Sequence, residues 1–210
     1  MKLSTYIHRS VGLLAIITIV LSGCNNEKQD NSNNNTKVEQ LNQEVLEEII
    51  LLDTNSLDYE NTLNTALSKL KKTIRLNRRN RSSYVNLARV YSKMGKYEDA
   101  IASLDTLVKY HELSPELYVY YGIIYEKKGD KQLATESYSN ALALFSENVK
   151  NNEEDISSQL GRLFMICMLD GKEKALSELA FIKEDSNKQQ YEMYKQFIEG
   201  FSRDDFLESM

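Results

Sequence analysis

Few side chains in this chain of 210 residues have the type and spacing to do chemistry. It holds two histidines and two cysteines. His111 stands in "YHELSP" with no positioned serine and acid pattern around it, so a serine triad is unsupported. A lone histidine in such a segment reads as a solvated surface residue. Neither G-x-S-x-G nor G-x-x-x-x-G-K-[ST] occurs, which removes the nucleophile elbow and the phosphate-cradling loop. Zinc would need several cysteine or histidine ligands. "DTNSLDYENTLN" begins like a calcium loop, with Asp53 and Asn55. Leu57, Asp58 and Asn64 then stand where a ligand, a glycine and a glutamate are required, so it reads as an inter-helix turn. Catalytic residues, a metal and a cofactor are not expected, and neither is an enzyme.

The densest charge run is "RLNRRNR", with Arg75, Arg78, Arg79 and Arg81. It has two readings. One is a docking patch for an anionic lipid, a glycan or an acidic partner. The other is a helix end whose cations complement the dipole, followed by a solvated turn. The formal net charge is -5 and the pI about 5.3, which argues against a nucleic-acid backbone as the ligand. The acidic "NNEEDI" reads as a solvated helix start, with acids favourably placed near an N-terminus.

The two cysteines have different settings. Cys167 lies in "LFMICML" and reads as a buried small hydrophobe. Cys24 closes a segment laid out as a secretory signal: Lys2 and Arg9 without an acid, the apolar run "VGLLAIITIVL", then "LSGC". The apolar run is too short for a comfortable membrane span. Leu21, Ser22, Gly23 and Cys24 resemble a bacterial lipobox. The resemblance implies a signal peptide over residues 1–23, and acylation of Cys24 on its thiol and new amino group, with palmitate among the chains. Several acyl chains hold far better than one, at about 0.8 kcal/mol per buried methylene. Residues 25–37, "NNEKQDNSNNNTK", are too polar to bury surface and read as a tether following the lipidated Cys24. A domain over residues 38–210 follows. Asn25 and Asn26 lack the aspartate that retains many lipoproteins in the inner membrane, so the resemblance favours the outer membrane where the cell has one.

The elements that must position any site come from an internal repeat. At an offset of 34 residues Tyr84 meets Tyr118, Ala88 meets Gly122, and Tyr91 meets Tyr125. Gly95 likewise meets Gly129, Ala100 meets Ala134, and Leu104 meets Tyr138. Within each repeat large residues recur at spacings of three and four, one face of a helix. Gly95 or Gly129 then closes that helix in the left-handed conformation, and a second helix follows. Ser114 and Pro115 supply a cap and a first helical residue. One proline and eight glycines fit a chain of long helices.

These residues resemble the tetratricopeptide repeat, with its period of 34 residues. The match is clear over residues 81–148 and weaker outside. Ala66, Leu70 and Thr73 align backwards. Ala175 and Leu179 align forwards at an offset of 41, with the seven extra residues placed in "FSENVKNNEED". Residues 189–201 read as a helix covering the end. The expectation is an all-α, TPR-like helical-hairpin solenoid of about four helix pairs, two clear and two degenerate, with a C-terminal capping helix.

The resemblance also implies a concave face that holds a peptide or a partner helix. Carried over by position, it assigns Val85, Asn86, Arg89 and Lys93 from one repeat and Val119, Tyr120, Ile123 and Lys127 from the next. Such a face suits an extended peptide or an acidic amphipathic helix. Val85 and Arg89 replace the lysine and asparagine of a carboxylate clamp, so no clamp is expected. The functional reading is a lipid-anchored envelope scaffold that binds a protein or peptide. The alternative is a surface lipoprotein that binds a glycan or small nutrient, for which 13 tyrosines offer stacking surfaces. Tyr84, Tyr91, Tyr118, Tyr121 and Tyr125, however, fall on repeat core positions.

Overall fold

The computed structural model describes residues 33–50, 52, 54–180 and 188–210. Among them all regular secondary structure is α-helix, in ten segments. Four helix pairs run in chain order: α1 (Asn33–Ile50) with α2 (Tyr59–Leu76), α3 (Arg81–Lys93) with α4 (Tyr97–Val108), α5 (Pro115–Lys128) with α6 (Lys131–Asn151), and α7 (Ile156–Asp170) with α8 (Lys172–Leu179). Two further helices follow, α9 (Lys188–Gly200) and α10 (Arg203–Ser209). The described residues form two compact units. The first holds residues 33–113, 123–131 and 209–210, and the second holds 114–122 and 132–208.

In the first unit the outer pair is built like the regular one. Val38, Asn42, Val45 and Ile49 form one buried stripe on α1. Leu63, Ala66, Leu70 and Thr73 form another on α2. Val45, Ile49, Leu63, Ala66 and Leu70 share a core with Leu87 and Val90 of α3. Ala66, Leu70 and Thr73 are therefore buried as their counterparts Ala100, Leu104 and Leu107 are. The break at residues 53–56 falls between α1 and α2, and α1 starts at Asn33, inside the segment read as a tether. Asn55 lies in that inter-helix turn; Asp53 lies outside the described residues.

Both regular repeats turn their first helix by the same device. Gly95 has φ +70 and Gly129 has φ +91. The N–H of Lys96 donates to the carbonyl of Tyr91, and that of Asp130 to the carbonyl of Tyr125, both at 2.9 Å. This is the bond that closes a helix through a left-handed residue. Gly171, φ +88, separates α7 from α8.

The arginine run is structural in its backbone. Arg75 is in the last turn of α2, where a cation complements the dipole. Asn80 then caps α3, its Oδ1 accepting from the Ser83 N–H at 2.9 Å and from the Ser83 hydroxyl at 2.8 Å. Asn42 Nδ2 of α1 lies 3.1 Å from the same oxygen, and Asn80 Nδ2 donates to Glu39 at 2.7 Å. Asn80→Ala removes a cap worth about 1 kcal/mol and leaves buried partners unpaired at roughly 1–3 kcal/mol. A total loss of about 2–3 kcal/mol is expected in urea unfolding, with Asn80→Ser recovering the cap portion.

In the second unit, α6 carries the insertion. It runs 21 residues against 12 for α4, so the extra turns lengthen the helix. Its ring Tyr138 lies on Gly122 of α5, and its ring Phe145 lies on Gly161 of α7. Asp155 caps α7, accepting from the Ser158 N–H at 3.1 Å, which fits the helix-start reading of "NNEEDI". Phe164 of α7 meets Phe197, Phe201 and Phe206 edge-to-face, in a ring cluster joining α7, α9 and α10. Helix α9 matches the expected end helix; α10 lay outside the sequence pattern.

Candidate functional site: a cationic cluster on α3 and α5

The eight residues assigned to a concave face divide sharply by burial. Val85, Asn86, Val119, Tyr120 and Ile123 are buried. They are packed among their neighbours, unlike the remaining three. The reason is visible for Asn86: its Nδ2 donates to the carbonyl of Asn42 at 3.3 Å, because α1 covers this part of α3. Arg89, Lys93 and Lys127 remain partly exposed. All three belong to the first unit.

Arg89 and Lys93 sit one turn apart on α3, an arrangement that disfavours like charges. Lys93 and Lys127 are 34 residues apart and occupy equivalent positions in the two repeats. Burial pushes the Lys93 ammonium down to about 8, with the charges of Lys127 and Arg89 adding to the effect. Burial also lowers Lys127. The fold therefore gathers three cations in a partly desolvated place, an arrangement that favours an incoming anionic group. Lys93 Nζ donates to the carbonyl oxygen of Ser209 at 2.8 Å.

A pH dependence follows. The folded-state pKa of Lys93 lies below its unfolded value, so the unfolded chain binds more protons between about 8 and 10.5. Stability should rise with pH across that window, as the folded state sheds its strained charge. Lys93→Met should be more stable than the parent at pH 7.5 by roughly 1–2 kcal/mol, after allowing for solvent screening. The difference should shrink by pH 10. Urea midpoints of both proteins at the two pH values check this.

The other candidates take structural roles. His111 Nε2 lies 2.6 Å from the carbonyl of Arg79, so that nitrogen carries the proton and donates. The histidine is half-buried and ties a loop, which corrects the solvated reading. Tyr84 donates to the carbonyl of Arg78 at 3.1 Å. The backbone of the arginine run is thus fastened at residues 78 and 79, while Arg75, Arg78 and Arg79 are exposed and Arg81 half-buried. Burial, then the Glu173 charge, pushes the Cys167 thiol up to about 12, so it is inert at neutral pH. Tyr84 is buried, and Tyr91, Tyr118, Tyr121 and Tyr125 are half-buried, in keeping with core positions. Cys24, the signal segment and most of the tether lie outside the described residues. No described helix is long and apolar enough to cross a membrane.

Sequence reasoning missed Gly161 and the contact of Lys93 with Ser209. Gly161 had a signal: it follows Gly122 by 39 residues and precedes Ala175 by 14, against 12 between Gly122 and Ala134. The insertion lies wholly before α7, since Pro115 to Ile156 and Lys131 to Lys172 are both 41 residues, so Gly161 stands two places nearer the start of its helix than Gly122 does. The Lys93–Ser209 contact spans 116 residues and has no sequence pattern.

Comparison with known proteins places the two regular repeats. No curated protein matches the chain. A solved structure, described as "YrrB: a TPR protein with an unusual peptide-binding site", aligns with 84% of this chain and 95% of that one, at 18% identity and a TM-score of 0.38. The family model described as tetratricopeptide repeat matches residues 85–149, which fall within α3 to α6.

Proposed function

We propose that this protein is a lipid-anchored scaffold of the bacterial envelope, which binds a partner protein or peptide through Arg89, Lys93 and Lys127. The observation that carries the reading is the gathering of these cations, with Lys93 and Lys127 at repeat-equivalent positions and Arg89 one turn before Lys93, at an electrostatic cost at Lys93. A partner segment bearing carboxylates relieves that cost and gains charge-assisted hydrogen bonds. Anchoring through Cys24 would turn the encounter into a local one, by raising the effective concentration near the membrane. The glycan alternative draws no comparable support: among the described residues the exposed large apolar side chains include one aromatic, Tyr110, which pairs with the buried Tyr84 at 6.3 Å.

Two experiments test the two halves. Cys24→Ser should move the protein from the membrane to the soluble fraction and abolish labelling by palmitate; retention in the membrane would defeat the anchor. Cross-linking in native envelope membranes, with the intact chain as bait, should enrich one protein that Arg89→Ala loses. A folded and anchored bait that enriches nothing would favour the glycan reading.

A further inference from the structure

Ser209, the last residue of α10, contacts Lys93 of the cluster. Ser209 and Met210 group with the first unit, whereas residues 203–208 group with the second. The Ser209 carbonyl accepts from the Lys93 ammonium at 2.8 Å, which engages one of its three N–H donors. The acceptor is neutral. A carboxylate binds an ammonium roughly twice as strongly as a neutral oxygen does, so an acidic group can replace it. The segment is covalently part of the chain, so release does not set it free in solution. It stays available for rebinding at high effective concentration.

We infer that Ser209–Met210 is an in-cis occupant of the Arg89–Lys93–Lys127 cluster through Lys93, and that an acidic partner competes with it there. This rests on the partner-binding reading above. The contact lowers the affinity of the resting chain and sharpens selection for segments with real carboxylates, since a weak acceptor cannot outcompete the tethered carbonyl. A chain that ends at Glu208 lacks the occupant and keeps Phe206.

The test compares full chain and shortened chain, both in detergent, by fluorescence anisotropy with a fluorescein-labelled octaglutamate peptide at low ionic strength. Shortening should tighten binding by about tenfold. Adding Lys93→Met to the shortened chain should reverse that gain. Matching melting curves show that the fold is intact. Equal affinity of the two chains, or a gain that survives Lys93→Met, overturns the inference, as does absence of binding by both. The envelope cross-linking experiment separates the two proposals. A partner recovered equally by both chains leaves the scaffold reading standing and removes the displacement step.

Discussion

Gly122→Val destabilises the chain by roughly 1–3 kcal/mol, the range for forcing volume into a packed core. A Cβ at residue 122 falls inside the van der Waals shell of the Tyr138 ring, and that ring is 1% exposed with nowhere to retreat. Gly122→Ala is the more telling variant. On propensity alone it should stabilise a helix by about 1 kcal/mol. The contact reverses the sign, and a net loss is expected in urea unfolding. Gly161→Ala should behave likewise, because its Cβ meets the buried ring of Phe145. Ala102→Val, exposed on α4, is the control and should change stability by less than about 0.5 kcal/mol. Stabilisation by Gly122→Ala would mean that the α5–α6 approach is looser than described.

Phe206→Ala should cost about 3–5 kcal/mol, as truncation of a buried aromatic does. The side chain is 2% exposed and stands edge-on to Phe164, with the rings at 85°. Helix α10 is only seven residues long, too short to persist without such an anchor. Its loss should open residues 203–210 to proteolysis before the rest of the chain. A change below about 1 kcal/mol would show that α10 contributes little to the second unit.

These two sites also show what was legible in the sequence. The small-residue pairs were: Ala88 with Ala100, and Gly122 with Ala134, at a fixed offset. Burial of Ala66, Leu70, Ala175 and Leu179 extends the pattern to the outer pairs, because the same helix-packing demand recurs at the same register. Gly95 and Gly129 were legible because only glycine enters the left-handed region freely. The candidate face was legible in part. Pattern transfer places Val85, Asn86, Val119, Tyr120 and Ile123 on a face, but burial depends on what long-range packing covers it. Asn86 became a core residue when Asn42 met it, a pairing across 44 residues. Arg89, Lys93 and Lys127 kept access to solvent because long cationic side chains reach out from a buried stem. Helix α10 was illegible for a simpler reason: seven residues give too few turns for a periodic signal.

The central claim is that the partner engages the α3–α5 cations. Site-specific photo-cross-linking in native envelope membranes tests it most directly, with a photoreactive residue at position 127 in one chain and at position 72, on the exposed side of α2, in another. Arg89 and Lys93 remain to hold the partner in both. The claim predicts an adduct of one defined mass from position 127, suppressed by Lys93→Glu, and none from position 72. An adduct from position 72 with nothing at 127, or one at 127 indifferent to Lys93→Glu, contradicts it.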